Sequence, residues 1–195
     1  MNGMLIVISG PAGCGKDSIL NELFKRRDEF ENGLFYSVSA TTRPKRNDEE
    51  DGTHYYFKTR EEFEELIRQG AFIEHTEYCG NYYGTLKSTV TEALNARKNL
   101  ILKIEVDGAA NVRKQFDNCL SIFVLPPSIE ELRRRLKGRS TEDDETIERR
   151  VKQASTEMEH ANAYSYRVIN DDLPKAINDT ADIIKKEYML RCSNG

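Results

Sequence analysis

The chain has 195 residues, of which 32% are charged, and its formal net charge is −4. This length suits one domain with inserted segments, and the acidic balance argues against a chain-wide basic surface for nucleic acid or anionic lipid. The longest apolar runs, residues 5–8 and 120–125, are too short to span a bilayer, and no basic region precedes the first, so we expect neither a membrane span nor a signal peptide.

The first predicted element is a buried strand, residues 4–8, that runs into a glycine-rich turn. From Gly10 to Lys16 the turn matches the phosphate-loop pattern G-x-x-x-x-G-K-[ST], but Asp17 stands where a Mg²⁺-binding hydroxyl is usual, and Ser18 comes one residue late. Apolar residues then recur at helical spacing, so the loop lies at a helix N-terminus, where N–H groups and the dipole favour phosphate. The alternative is a strand-to-helix turn without a ligand.

Residues 37–90 are polar and tyrosine-rich, and we interpret them as an inserted lobe. Ser39, Arg43, Arg46 and Tyr55 provide hydroxyls and planar guanidinium groups, which suit an oxyanion such as phosphate. A solvated polar loop is the competing interpretation for the arginines. A capping box at residues 59–62 predicts a short helix that ends at Gly70.

The buried-strand pattern returns at residues 100–102 and 121–125, which with the first strand predicts a parallel α/β sheet. Residues 128–160 are densely charged and begin with a capping box at Ser128 and Glu131. We expect two helices there, broken at residues 138–141, that act as a lid. Asp172 is predicted to cap the last helix. The expected division is a core of 1–36, 91–127 and 159–195, a lobe of 37–90 and a lid of 128–158.

Four cysteines lie far apart without a C-x-x-C pair, which is typical of a reducing, cytoplasmic compartment. Cys14 has two interpretations. Its place at a helix N-terminus would lower the pKa of its thiol and make it reactive, whereas a small filler residue would be inert. The three histidines show no spacing typical of a zinc site.

Six motifs in order carry a resemblance to a known family: the phosphate loop, S-x-T-T-R-P-x-R, G-x-x-Y-x-F, F-I-E, G-N-Y-Y-G and R-L-x-G-R. Together they resemble guanylate kinase over nearly the whole chain. The resemblance implies an α/β fold with a parallel-sheet core flanked by helices, an inserted GMP-binding lobe and a helical lid. It also implies that the chain is an ATP:GMP phosphotransferase that uses Mg²⁺ with ATP, binds no nucleic acid or membrane, and is a monomer or homodimer.

The resemblance implies roles for individual residues. The groups around the transferring phosphoryl would be Lys16, Arg135, Arg139 and Arg150. ATP would be held by Gly10, Pro11, Ala12, Gly13, Cys14, Gly15, Lys16, Asp17, Ser18 and Asn170, and Asp17 would contact the metal. GMP would be held by Ser39, Arg43, Arg46, Tyr55, Glu74, Tyr83, Thr85 and Glu105. A carboxylate such as that of Glu74 accepts the adjacent N–H donors of guanine, a pattern that adenine does not present.

Several residues depart from the family pattern. Besides Asp17, Lys103 replaces an aspartate usual near Mg²⁺, Glu105 another aspartate and Thr85 a serine, and the acceptor loop carries Asp48 and His54. We interpret Asp17 and Lys103 as one paired change that forms an ion pair and keeps the local charge near zero. The departures leave two other hypotheses open, a catalytically impaired binding module and a kinase with a shifted acceptor.

Overall fold

The computed structural model describes residues 3–78, 80–138 and 143–193. Its strands are β1 Leu5–Ser9, β2 Leu34–Tyr36, β3 Ala40–Thr41, β4 Tyr56–Phe57, β5 Phe72–Tyr78, β6 Asn81–Leu86, β7 Asn99–Lys103, β8 Leu120–Leu125 and β9 Tyr166–Ile169. Its α-helices are α1 Lys16–Lys25, α2 Arg60–Arg68, α3 Lys87–Asn95, α4 Val106–Gln115, α5 Ile129–Lys137, α6 Asp144–Glu159 and α7 Leu173–Ser193. Short 3₁₀ turns occupy Arg27–Glu29 and His160–Ala163.

The core is a five-stranded parallel sheet in the order β2-β7-β1-β8-β9. Alternate residues of β1 point to opposite faces: Ile6 and Ile8 join the cluster under α1 and α7, while Leu5 and Val7 join the cluster under α3 and α4. A strand covered on both faces is continuously apolar, which explains the run at residues 4–8. The predicted parallel α/β core is confirmed.

A second sheet, in the order β4-β3-β6-β5, is built from residues 40–86. The sequence predicts a lobe here, and the sheet within it was not predicted. The β5–β6 hairpin carries Glu74 and Thr85 side by side in its register. Phe63 of α2 is fully buried under this sheet and stacks on Phe72 at 4.3 Å and on Tyr82 at 5.3 Å between ring centroids.

The helix starts follow the predicted caps, with one difference. Thr59 and Glu62 form the complete capping box of α2, and Asp172 Oδ1 accepts a bond from Lys175 N at the start of α7. At α5 the Ser128 hydroxyl accepts from Glu131 N at 3.1 Å, but the Glu131 carboxylate binds arginines one turn along. Two guanidinium groups are stronger partners for a carboxylate than one amide N–H.

Within the described ranges no helix is both long and apolar enough to cross a membrane.

The first prediction concerns the second sheet. Phe63→Ala should lower the free energy of unfolding by about 3–5 kcal/mol, because it leaves a cavity between two stacked rings. Urea denaturation measures this, and Phe35→Ala, at a side chain that is 36% exposed, is the matched control. Equal losses in the two variants would contradict the assignment of Phe63 as the centre of this cluster.

Candidate functional site

A glycine-rich loop joins β1 to α1 and opens at the helix N-terminus. Gly10, Gly13 and Gly15 have φ values of 143°, 85° and 95°, a region that side chains disfavour. Space is also short: a Cβ on Gly10 would lie 2.3 Å from the carbonyl oxygen of Val124. The loop therefore depends on glycine, and the N–H groups and dipole at the start of α1 favour an anion there.

Asn170, at the end of β9, holds this loop from the side. Its Nδ2 donates to the carbonyl oxygen of Cys14 at 2.8 Å, and the residue is 4% exposed. A Cβ on Gly15 would lie 2.1 Å from the same nitrogen. The structure therefore gives Asn170 a contact within the protein, in addition to the ligand contact expected from sequence.

Cys14 is fully buried under the loop. Burial raises the pKa of its thiol, and the nearby Lys16 only partly opposes this. The expectation of a lowered pKa and a reactive thiol is therefore wrong, since loss of solvation outweighs the helix N-terminus. The interpretation as a small filler residue agrees with the structure.

The loop borders a cavity of about 290 Å³, here called the loop cavity. Its lining residues are Pro11, Ala12, Gly13, Gly15, Lys16, Asp17, Lys103, Glu105, Leu136 and Arg150. Lys16 Nζ donates to the carbonyl oxygens of Gly10 and, at 3.1 Å, Pro11. The Lys16 side chain thus turns back onto the first residues of its own loop. Ser18 lies within the first turn of α1.

Lys103 and Asp17 form the ion pair that the sequence predicts, with 2.6 Å between Nζ and Oδ1. β7 pairs with β1 so that Lys103 lies beside Ile8, which places its side chain over the start of α1. Burial lowers the pKa of Lys103, but the bond to Asp17 and the fields of Tyr36 and Asp17 outweigh it, so the net pKa is raised. Lys103 is therefore a fixed positive charge.

A second cavity of about 140 Å³, here called the tyrosine cavity, lies between the two sheets. Its lining residues are Tyr36, Ser37, Ser39, His54, Tyr55, Thr85, Leu102, Lys103 and Ile104. Three of these, Ser39, Tyr55 and Thr85, belong to the predicted site. Ser37 was not predicted, and its buried Oγ has no hydrogen-bond partner among the described residues.

The arginine loop lies beside the tyrosine cavity. Arg43 Nη2 pairs with Glu49 Oε1 at 2.6 Å, and its guanidinium carbon lies 5.5 Å from the ring centroid of Tyr55. Tyr55 in turn meets Tyr83 edge-on at 6.1 Å. The hydrogen bond from Arg43 lowers the pKa of Glu49 to about 2. Arg46 is exposed and contacts Glu49 through its backbone N–H at 2.9 Å.

Glu74 of β5, in the second sheet, is a buried carboxylate that is 8% exposed. Its Oε1 accepts from Thr85 Oγ1 at 2.6 Å. Burial raises the pKa of Glu74, two hydrogen bonds from Thr85 partly offset this, and the charge of Glu105 adds to it. Glu105, the N-cap residue of α4, lines the loop cavity and not the tyrosine cavity.

Three arginines were predicted around the loop. Arg135 of α5 is 21% exposed and donates from Nε to Glu131 Oε1 at 2.7 Å. Arg150 of α6 lines the loop cavity. Arg139 lies outside the described residues. Leu136 of α5 faces the loop as well, because a Cβ on Gly13 would lie 2.9 Å from its Cδ2.

Besides Ser37, two further residues that shape the site were not predicted from the sequence. Glu49 forms an ion pair with Arg43. The sequence signal for it is the acidic run that follows the arginines. Gly108 lies in the first turn of α4, and a Cβ there would lie 2.8 Å from Glu74 Oε2. A glycine inside a helix costs about 1 kcal/mol, so its presence in α4 indicates close packing at this position.

The chain matches known proteins of one family over almost its full length. A family model described as guanylate kinase matches residues 2–187. A guanylate kinase of Desulfitobacterium hafniense (strain Y51) is 44% identical over 186 residues, covering 95% of this chain and 91% of that protein. The crystal structure of a guanylate kinase from Anaplasma phagocytophilum superposes with a TM-score of 0.69 at 32% identity, covering 95% of this chain and 86% of that one.

A more distant structure shares the fold alone. The SH3-kinase fragment of tight junction protein 3 superposes with a TM-score of 0.52 at 13% identity, covering 95% of this chain and 58% of that one.

The second prediction concerns the raised pKa of Glu74. A carboxyl whose folded pKa lies above its unfolded value stabilises the fold below that unfolded value, and this contribution is lost as pH rises through the folded pKa. Glu74→Gln removes the free-energy cost of burying a charged carboxylate. Its free energy of unfolding relative to the parent should therefore increase as the pH rises above about 4.5, the ordinary pKa of this carboxyl.

Urea denaturation across this range measures the effect. Glu77→Gln is the control on the same strand, because the Glu77 side chain is 49% exposed. A pH-independent difference between Glu74→Gln and the parent would contradict a raised pKa.

Proposed function

The chain belongs to the guanylate kinase family, and on that premise we propose that it transfers the γ-phosphoryl group of ATP to GMP, giving GDP and ADP. One observation supports the proposal: the glycine-rich loop borders one cavity, Thr85 of the buried Glu74–Thr85 pair borders the other, and Lys103 lines both. Phosphoryl transfer needs mainly positioning and charge neutralisation, and these two features hold the two ends of that reaction.

ATP would occupy the loop cavity, with its phosphates at the start of α1. Lys16 would exchange the carbonyl oxygens of Gly10 and Pro11 for phosphate oxygens. This exchange replaces neutral acceptors with charged ones, which strengthens each bond. Residues 10–18 would supply the backbone of the cradle, and Asn170 would keep it in place while lying near the adenine side.

Asp17 would hold the Mg²⁺ that accompanies ATP. Mg²⁺ is bound in proteins by one or two carboxylates together with substrate phosphates, and Asp17 offers a carboxylate that is 62% exposed on the wall of the loop cavity. The residues present therefore fit the ion. When bound, it supplies positive charge to the β- and γ-phosphates. Asp17 would have to turn from Lys103 to do this.

GMP would occupy the tyrosine cavity. Ser39 and Tyr55 line this cavity and would offer hydroxyls to the phosphate, together with Tyr83, which lies against Tyr55. Arg43 would exchange Glu49 for phosphate oxygens, and Arg46 would turn in from solvent. Glu74 and Thr85 would read the guanine edge from the floor of the cavity, with Glu105 assisting from α4.

Residues 128–158 would close over both nucleotides as a lid, with 37–90 as the GMP lobe and 1–36, 91–127 and 159–195 as the core. Arg135, Arg139 and Arg150 would neutralise the transferring phosphoryl group and, with the lid closed, water would be kept from it. For this, Arg135 would give up its ion pair with Glu131.

The free thiols of Cys14, Cys119 and Cys192 support a cytoplasmic location. We expect a monomer or homodimer.

The third prediction tests the acceptor. A coupled ADP-release assay over GMP, dGMP, AMP, UMP and CMP should show turnover with guanine nucleotides. Glu74→Gln should lose about 1–3 kcal/mol of transition-state binding for GMP, because one N–H of guanine is left facing an amide donor. Glu77→Gln on the exposed side of β5 should leave turnover unchanged.

Each contrary outcome points to one of the two other hypotheses. Phosphorylation of AMP as fast as GMP would indicate a shifted acceptor. Absence of turnover with every nucleotide would indicate a binding module.

The fourth prediction compares two neighbouring arginines that share Glu131 as partner. Arg135→Met should lower kcat by roughly a thousandfold if its guanidinium reaches the transferring phosphoryl group. Arg134→Met is the matched control, because the Arg134 side chain is 76% exposed and its loss removes an equivalent ion pair. Equal kcat values in the two variants would reject Arg135 as a catalytic residue.

A further inference from the structure

Lys103 lies at the boundary of the two cavities. Among the residues that line them in the described part of the chain, it alone borders both the loop cavity and the tyrosine cavity. It is the last residue of β7, beside Ile8 of β1, so its backbone is fixed by the parallel sheet. Only its flexible side chain can move, and that side chain is 39% exposed.

Asp17, which forms the ion pair with Lys103, is exposed as well, and Tyr36 also lies near Lys103. Asp17 holds Nζ at 2.6 Å, and the Asp17 side chain is 62% exposed at the first turn of α1. An ion pair in contact with water is weak, because water and salt screen it and two side chains must be ordered. A phosphate group that carries two negative charges competes well for the same ammonium group. The pair is therefore easily exchanged.

We propose that Lys103 is a catalytic cation shared by the two nucleotides, which Asp17 holds in the absence of ligand and releases to the phosphates that meet between the two cavities. The proposal rests on the proposed phosphotransferase function and adds a residue to it. The proposal assigns Lys103 a contact with substrate. In a purely structural role, the ion pair would only join β7 to α1.

The chemistry of the transfer shows what a cation at this place does. An oxygen of the GMP phosphate forms a bond to the γ-phosphorus of ATP, the bond from that phosphorus to the β–γ bridging oxygen breaks, and ADP leaves with the electron pair. No proton is gained or lost, so Lys103 keeps its charge throughout. Its ammonium group reduces the repulsion between the two anions as they approach and stabilises the charge on the transferring group.

The position of Asp17 explains why the lysine comes with an acid. Asp17 lies at the first turn of α1 and bonds Lys103, so its carboxylate offsets the charge of that ammonium group in this structure. When phosphates bring their own negative charge, they replace Asp17 as the partner of Lys103. Its carboxylate then becomes available to the cation that accompanies ATP.

Titration calorimetry with GMP and with guanosine, in EDTA and without ATP, tests the proposal. Lys103→Met should weaken GMP binding about tenfold and leave guanosine binding unchanged, because guanosine lacks the phosphate. Asp17→Asn should strengthen GMP binding severalfold, because it removes the competitor for Lys103. Lys103→Arg should retain most of the affinity, and Asp17→Asn with Lys103→Met should behave like Lys103→Met alone.

A matched pair elsewhere provides the control. Lys185 is 40% exposed and pairs with Glu29 at 3.1 Å, away from both cavities. Lys185→Met and Glu29→Gln should leave GMP and guanosine binding unchanged. Circular dichroism and urea denaturation of each variant confirm that the fold is retained.

The sign of the two single changes decides the outcome. If the pair only joins β7 to α1, Lys103→Met and Asp17→Asn will shift GMP affinity in the same direction, and the proposal is overturned. Equal effects on guanosine and GMP would overturn it too. If the parent binds no GMP, both the proposed function and this inference fail. If the parent binds GMP but the two variants shift its affinity in the same direction, only this inference fails.

Discussion

The parallel pairing of β1 with β7 and β8 is the constraint on which the site depends. Parallel strands bring their carboxyl ends to one edge, and here that edge collects the glycine loop after β1, Lys103 at the end of β7 and Asn170 after β9. Asn170 reaches the carbonyl oxygen of Cys14 because β9 lies next to β8 in this order. Residues that are more than 150 positions apart in the chain thus form one surface at this edge of the sheet.

A common feature of this surface is that several cations proposed to bind phosphate hold an acceptor of the protein itself. Lys16 holds loop carbonyl oxygens, Arg43 holds Glu49, Lys103 holds Asp17 and Arg135 holds Glu131. These partners keep like charges from repelling one another before ligand arrives. In the proposed function, nucleotide binding exchanges these internal acceptors for phosphate oxygens, and its strength depends on how tightly each acceptor is held.

Local patterns predicted local features well. The capping box at residues 59–62 and the Asp172 cap appear as expected, because a cap depends on side chains three residues apart. The Ser128 cap is half formed, because Glu131 found stronger partners in arginines of its own helix. The second sheet was missed, since β3 and β4 have two residues each and β5 is buried over residues 72–74 but polar and exposed over residues 75–77. Strand pairs of this kind leave little periodicity in a sequence.

The amino-acid sequence by itself determined the buried strands and the glycine-rich loop, because these follow from residue type and short spacing. The pairing of Asp17 with Lys103, which are 86 positions apart, was predicted from charge balance together with the resemblance to guanylate kinase. The tertiary structure decided the burial of Glu74 beside Gly108, the engagement of Arg43 by Glu49 and the position of Lys103 between two cavities. These depend on which elements pack together. Packing distances of a few ångströms set desolvation and hydrogen bonding, and no spacing along one chain specifies them.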